Sequence, residues 1–181
     1  VNPQSIKRIV AAYEKVQPNL TKHHPDYPKA EIIYSLIKQG RPEYGMLGVG
    51  NGKDSEGSEW IIKELEKDDE RPLWIAIWGG SNTLAQALYK IKQTKNEKEI
   101  KKIIAKLRIY AISDQDDSGI WIRNNFPELF YIVSPGDDYG GATWNAINSF
   151  INGINNEKIS NKWIAENIQQ NHGPLGAAYP D

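Results

Sequence analysis

Pro72-Leu73-Trp74-Ile75-Ala76-Ile77-Trp78-Gly79-Gly80-Ser81-Asn82 decides the fold class. The near-continuous apolar run reads as a strand buried on both faces, the habit of parallel strands. Two glycines then lead into a helical pattern carried by Leu84, Ala87, Leu88 and Ile91. Working outward, Ile100, Ile103, Ile104 and Leu107 recur at helical spacing, residues 108–112 read as the next strand, Ser118–Asn125 as a short helix and residues 129–133 as a third strand. Strands alternating with helices predict right-handed crossovers and an α/β fold, an open and mainly parallel sheet flanked by helices.

Upstream, Ile6, Ile9, Val10 and Tyr13 predict a helix over residues 5–16, with Asn2-Pro3 as its cap and first turn. A second helix is expected over residues 29–39, stopped by Gly40. Four glycines within residues 45–52 signal tight turning or close backbone approach, and Ser55 opens a helix with Trp60, Ile61 and Leu65. Downstream, helices are expected near residues 143–152 and 160–170, and residues 173–181 read as loop. Val1 follows no initiator methionine and no signal-type segment, so the chain reads as a single-domain fragment over residues 1–181, with pieces missing at both ends.

The 181 residues suffice for one core, which buries about 70% of the unfolded chain's surface. No run approaches the roughly 20 apolar residues of a membrane-spanning helix. Lys+Arg 22 against Asp+Glu 23 lacks the positive excess of a nucleic-acid binder, so no nucleic-acid partner is expected. That balance hides a dipole: residues 86–108 carry eight Lys/Arg and two acids, whereas residues 109–145 carry six acids and only Arg123. With no cysteine, disulfides, thiolate metal sites and thiol nucleophiles are all excluded.

Open parallel sheets bind ligands beyond the carboxyl ends of their strands. Here those ends emit Gly79-Gly80-Ser81-Asn82, then Ser113-Asp114-Gln115-Asp116-Asp117, then Ser134-Pro135-Gly136-Asp137-Asp138. The glycine pair could present N–H groups to an anion, or be a tight turn with Ser81 or Asn82 as helix cap. Asp114, Asp116 and Asp117 could bind a hard cation, accept hydrogen bonds from sugar hydroxyls or supply a general base; alternatively Asp116 or Asp117 caps the helix at Ser118. Asn82 is expected to share a cleft with Asp114 and Asp116. Trp78 and Trp144 are expected beside a pocket, and Trp60, Trp74 and Trp163 in the core. His23-His24 reads as a solvated loop, His172 is ambiguous, and Lys90 to Lys106 reads as a solvated helix face.

Residues 71–88, 106–117, 125–127 and 130–135, with Gly141-Ala142-Thr143-Trp144 and Asn171 to Gly176, resemble the nucleoside-hydrolase-like domain of bacterial cellulose-binding, carbohydrate-associated proteins. The resemblance implies a carbohydrate or nucleoside ligand at the strand ends, where the residue reading itself offers Asn82, Asp114, Asp116, Asp117 and Trp144 as contacts, and a secreted or periplasmic setting. If the full domain is catalytic, it implies hydrolysis of a glycosidic or N-glycosidic bond; the alternative is a non-catalytic carbohydrate-binding module. Nucleoside hydrolases hold calcium through an N-terminal Asp-rich motif. Here the resemblance leaves only the Trp78 carbonyl as a metal ligand, so calcium is expected in the full-length domain and none bound tightly by this chain, which should be catalytically silent. Trp78-Gly79-Gly80 also departs from the family's usual Thr-Gly-Pro-type turn.

Overall fold

The computed structural model describes residues 2–134 and 152–180. These fall into two compact units, Lys38–Tyr139 and a second formed by Val1–Ile37 with Gly140–Asp181.

In the first unit the order is a 3-10 turn Gly45–Gly48, α3 (Glu56–Leu65), β1 (Leu73–Ile77), α4 (Asn82–Thr94), α5 (Glu97–Lys106), β2 (Leu107–Ala111), α6 (Ser118–Asn125) and β3 (Phe130–Val133). The three strands form one sheet in the order β1-β2-β3, parallel throughout, with Ile75 opposite Ile109 and Ile109 opposite Tyr131. Local chemistry sets the helix starts. Ser55 and Ser58 form a reciprocal capping box on α3, and Asn96 and Glu99 form another on α5.

The strands alternate. Ile77, Leu107, Ile109 and Ala111 pack with Leu84, Leu88 and Ile91 of α4, Ile103 and Ile104 of α5 and Ile122 of α6 in one core. Trp74, Ala76, Tyr110, Phe130 and Ile132 point the other way and are exposed, Trp74 by 56%. The expectation of a strand buried on both faces, with Trp74 in the core, is therefore corrected. Right-handed crossovers put α4 and α6 on the same side of the sheet, where they pack together. Among the described residues of this unit, only that face is covered. Trp60 is half-buried rather than core, with the ammonium groups of Lys38 and Lys63 4.9 and 5.0 Å from its ring centre.

Two further boundaries differ. Leu107, expected to close α5, is the first residue of β2, because the helix ends at Lys106 and the chain turns directly into the sheet. The lysines expected to line a solvated face are partly engaged: Lys90 pairs with Asp54 and Glu59, and Lys95 with Glu66.

In the second unit, α1 (Pro3–Leu20) is longer than expected and starts where the sequence places it, with Asn2 Oδ1 accepting the Gln4 N–H at 2.9 Å. The next helix, α2 (Ala30–Leu36), stops short of Gly40 because Ile37 is already extended. Tyr13 Oη donates to the Pro28 carbonyl at 2.7 Å and ties the intervening loop to α1. Toward the C-terminus, α7 (Asn161–Ile164) continues as a π-helical turn, Ala165–Gln169, and Trp163 is half-buried. Residues 173–181, read as loop, contain α8 (Gly173–Ala177), begun by Pro174 at a first-turn position. Among the described residues no helix is long and apolar enough to cross a membrane. The expected helix at 143–152, Trp144 and Pro135 to Asp138 lie outside the described residues.

The two faces of β2 predict opposite mutational costs. Ile109→Ala, at a fully buried position, is expected to lower stability by about 2–5 kcal/mol. Tyr110→Ala, next to it on the exposed face, is expected to cost less than about 1 kcal/mol. Urea denaturation of the two variants of this chain checks the pair.

Candidate functional site

The loops after β1 and β2 meet at the carboxyl edge of the sheet, and the centre of that meeting is Asp116. Its side chain is 6% exposed. One carboxylate oxygen accepts the Ser118 N–H at 2.9 Å and the Ser118 hydroxyl, and lies 3.4 Å from Ser81 Oγ; the two serine hydroxyls are 2.8 Å apart. Asp116 therefore takes up the first N–H of α6 from just before the N-cap, Asp117, close to the capping alternative weighed for it, and fastens the end of β1 to the end of β2. Gly80 is required here, since a Cβ on it would overlap the other Asp116 oxygen. Ser81 spends its hydroxyl on this cluster and does not cap α4.

A glycine-rich strap, residues 40–54, crosses the same edge, and side chains from the sheet side hold it by its backbone. Asn82 Nδ2 donates to the carbonyls of Glu43 at 2.7 Å and Arg41 at 3.3 Å. Asp117 Oδ1 accepts the Met46 N–H at 2.8 Å, and Tyr44 Oη donates to the Gln115 carbonyl at 2.9 Å. Gln86, almost fully buried, pairs with both groups of Gly50, accepting its N–H at 2.7 Å and donating to its carbonyl at 3.1 Å. Its amide also donates to Asp54, which Lys90 grips at 2.9 Å. The Lys90 and Gln86 bonds, in that order of weight, hold the Asp54 carboxyl below its usual value. Gly45 adopts φ +49°, and a Cβ there would overlap the Asp117 carboxylate, so the strap passes this point only as glycine.

Asp114 has a different partner. Arg123, the only basic residue of the acidic stretch, reaches it with both terminal nitrogens, at 2.9 and 2.7 Å. The same guanidinium lies 5.1 Å from the Tyr131 ring centre. Beside them, the Tyr131 oxygen is buried with no hydrogen-bond partner among the described residues, and burial raises its pKa.

The structure thus gathers Asn82, Asp116 and Asp117 beneath one strap, puts Asp114 beside Gly119 at the start of α6, and leaves the Trp78 ring 62% exposed at the end of β1. Sequence reasoning put Ser81 in the strand-end loop without its partners, and missed Gln86, Ser118 and Tyr131 as members of this edge. Gln86 leaves a signal, a carboxamide set between Ala85 and Ala87 on the apolar side of α4. Among the described residues no group of three His, Asp or Glu side chains is placed to hold a metal ion. Two surface cavities of about 690 Å³ lie elsewhere: one against α1 and residues 173–180, the other against the segment before β1 and α5.

Over residues 1–181 the chain matches the family described as cellulose-binding Sde182, nucleoside hydrolase-like domain. It is 38% identical, with a TM-score of 0.80, to a nucleoside hydrolase-related hypothetical protein from Saccharophagus degradans that is associated with carbohydrate metabolism. The alignment covers 100% of this chain and 40% of that one. No curated protein matches the chain.

Two predictions test this edge. Asp116→Asn is expected to cost about 1–3 kcal/mol, because it weakens a buried charge-assisted network, whereas Asp114→Asn, at a partly exposed ion pair, is expected to cost about 1 kcal/mol or less. Equilibrium denaturation ranks them. A carboxyl whose folded pKa is lowered stabilises above its unfolded value and loses that contribution as pH falls through the folded one. The gap in Tm between wild type and Asp54→Asn is therefore expected to be full above about pH 5 and to close as pH falls below about 4, in melts across that range.

Proposed function

Because the chain belongs to the cellulose-binding Sde182 family, nucleoside hydrolase-like domain, we propose that these residues form a carbohydrate-recognition unit that binds without hydrolysing. One observation carries the reading: the carboxylates at the end of β2 are engaged in structural bonds while aromatic rings stand exposed at the same edge. Asp116 is committed to Ser118 and Ser81, Asp117 to the Met46 N–H and Asp114 to Arg123. A general base must present an oxygen to a water, and in each of these carboxylates at least one oxygen is already taken by a protein donor.

Calcium chemistry fares no better with these residues alone. The ion takes six to eight oxygens, largely carboxylate. By the family resemblance the Trp78 carbonyl would be one such oxygen, and among the described residues no group of three His, Asp or Glu side chains is placed to complete a shell. In a longer polypeptide the remaining ligands would come from elsewhere, and hydrolysis of a glycosidic or N-glycosidic bond would depend on them.

Recognition fits the groups left over. Trp78 closes β1 with its ring 62% exposed, and Tyr44, 66% exposed, is fixed over the end of β2 by its bond to the Gln115 carbonyl. Flat rings bury the apolar faces of sugars while rim hydroxyls reach polar neighbours. The ligand class that suits such an edge is a glucan of the cellulose type.

The test is retention on microcrystalline cellulose combined with assays for release of reducing sugar and of free base from nucleosides. The expected result is retention without turnover. Trp78→Ala is expected to weaken retention by about tenfold, the loss typical of one aromatic anchor. Turnover by this chain, abolished in Asp114→Asn, would overturn the reading.

A further inference from the structure

The strap carries the pair Asn51-Gly52, in which the asparagine side chain is open to the next backbone nitrogen because glycine has no side chain to bar the approach. The Gly50 carbonyl accepts the Lys53 N–H at 3.2 Å and Gly52 adopts φ +73°, so residues 50–53 form a turn of type II with glycine at its third position. Both Asn51 and Gly52 are exposed. Among the described residues neither the Asn51 carbonyl nor the Gly52 N–H has a hydrogen-bond partner, and a Cβ placed on Gly52 would meet nothing within 4 Å. The peptide unit joining the two residues is therefore free to rotate towards the asparagine side chain while Gly50 stays held.

That side chain has one partner. Tyr89 of α4 donates its hydroxyl to Asn51 Oδ1 at 3.0 Å, and its half-buried ring rests against Trp121, 6.4 Å between ring centres. A donor fixed on an amide oxygen stabilises the charge which that oxygen takes up when a nucleophile adds to the carbon. We infer that Asn51 is a site of spontaneous deamidation, promoted by the Tyr89 hydroxyl. The Gly52 nitrogen, on losing its proton to hydroxide, attacks Asn51 Cγ, and the negative charge passes to Oδ1 against the Tyr89 hydroxyl. The Cγ–Nδ2 bond then breaks, Nδ2 leaves as ammonia with a proton from water, and a cyclic imide remains. Water opens the imide at either carbonyl, giving aspartate or isoaspartate.

Nothing in this chemistry depends on the carbohydrate reading, but it acts on the strap. Gln86 holds the strap at Gly50 and at Asp54, and Asn51 lies between those points. Isoaspartate routes the main chain through the side-chain methylene and lengthens that span, whereas aspartate adds only a charge. The chain contains a built-in reference, Asn152-Gly153. It too is exposed, with its glycine at φ +87° and open space around it, but among the described residues no donor reaches the Asn152 side chain.

The test is incubation of the 181-residue chain at mildly alkaline pH, with peptide mass spectrometry following aspartate and isoaspartate at both pairs and hydroxylamine cleavage reporting the imide. Asn51 is expected to react about three- to tenfold faster than Asn152, the weight of one exposed hydrogen bond. Tyr89→Phe keeps the ring and removes the donor; it should bring Asn51 down to the Asn152 rate and leave Asn152 unchanged, with circular dichroism confirming the fold. In guanidinium chloride, where no donor is held in place, the wild-type pairs should react at similar rates. An intact Asn51 beside a reacting Asn152 would overturn the inference. So would an Asn51 rate that is equal or higher in Tyr89→Phe, or a difference between the pairs that persists in denaturant, which assigns it to the flanking sequence.

Discussion

The buried carboxylate of Asp116 is the constraint on which the carboxyl edge depends. It follows β2, reaches back to Ser81 after β1, and accepts the first N–H of α6, that of Ser118. A charge so enclosed is tolerable only while its donors stay in place. The two strand ends, the turn at Gly80 and the entry to α6 therefore form one mechanical unit. The glycine at position 80 is a consequence of that carboxylate, because no side chain fits between them.

From this anchor the rest of the edge follows. Once Asp116 holds the two loops together, Asp117 faces outward and catches the strap at Met46, while Asn82 and Gln86, on the first turns of α4, catch it at Glu43 and Gly50. Asn82 and Asp117, two of the polar residues expected to meet a ligand, thus bond to the strap's own backbone. A fold family whose name evokes hydrolysis here presents an edge in which the acids serve as struts and the rings remain available.

Legibility in the sequence followed the range of the interactions. The parallel order of β1, β2 and β3 could be read because apolar runs and helical spacing are local patterns with a fixed period. The cap role of Asp116 was one of two readings because capping is also local, and only distance could choose. What the sequence hid was which partner each polar group would find. Asp117 to Met46 and Asn82 to Glu43 join residues far apart along the chain, and nothing in either segment announces the other. Trp74 shows the complementary failure. Its apolar setting says that it belongs under cover, but coverage is a property of the neighbouring layer, and within this unit the layer lies on the other side. Leu107 failed for a simpler reason, since a residue at helical spacing from Ile103 and Ile104 also begins a strand when no loop separates the two elements.

The strap is fastened through its backbone: Glu43, Met46 and Gly50 are each held by main-chain groups, and the side chains of Tyr44 and Leu47 are left outside, 66% and 71% exposed. A loop gripped in this way keeps its path whatever side chains it displays, provided that its glycines remain. Selection can therefore exchange the residue at 47 without disturbing the sheet beneath, and at 44 at the cost of one bond, from the Tyr44 hydroxyl to the Gln115 carbonyl. Diversity of recognition within such a lineage would concentrate in a few outward positions of one short loop, as antigen specificity concentrates in the loops of an unchanging sandwich.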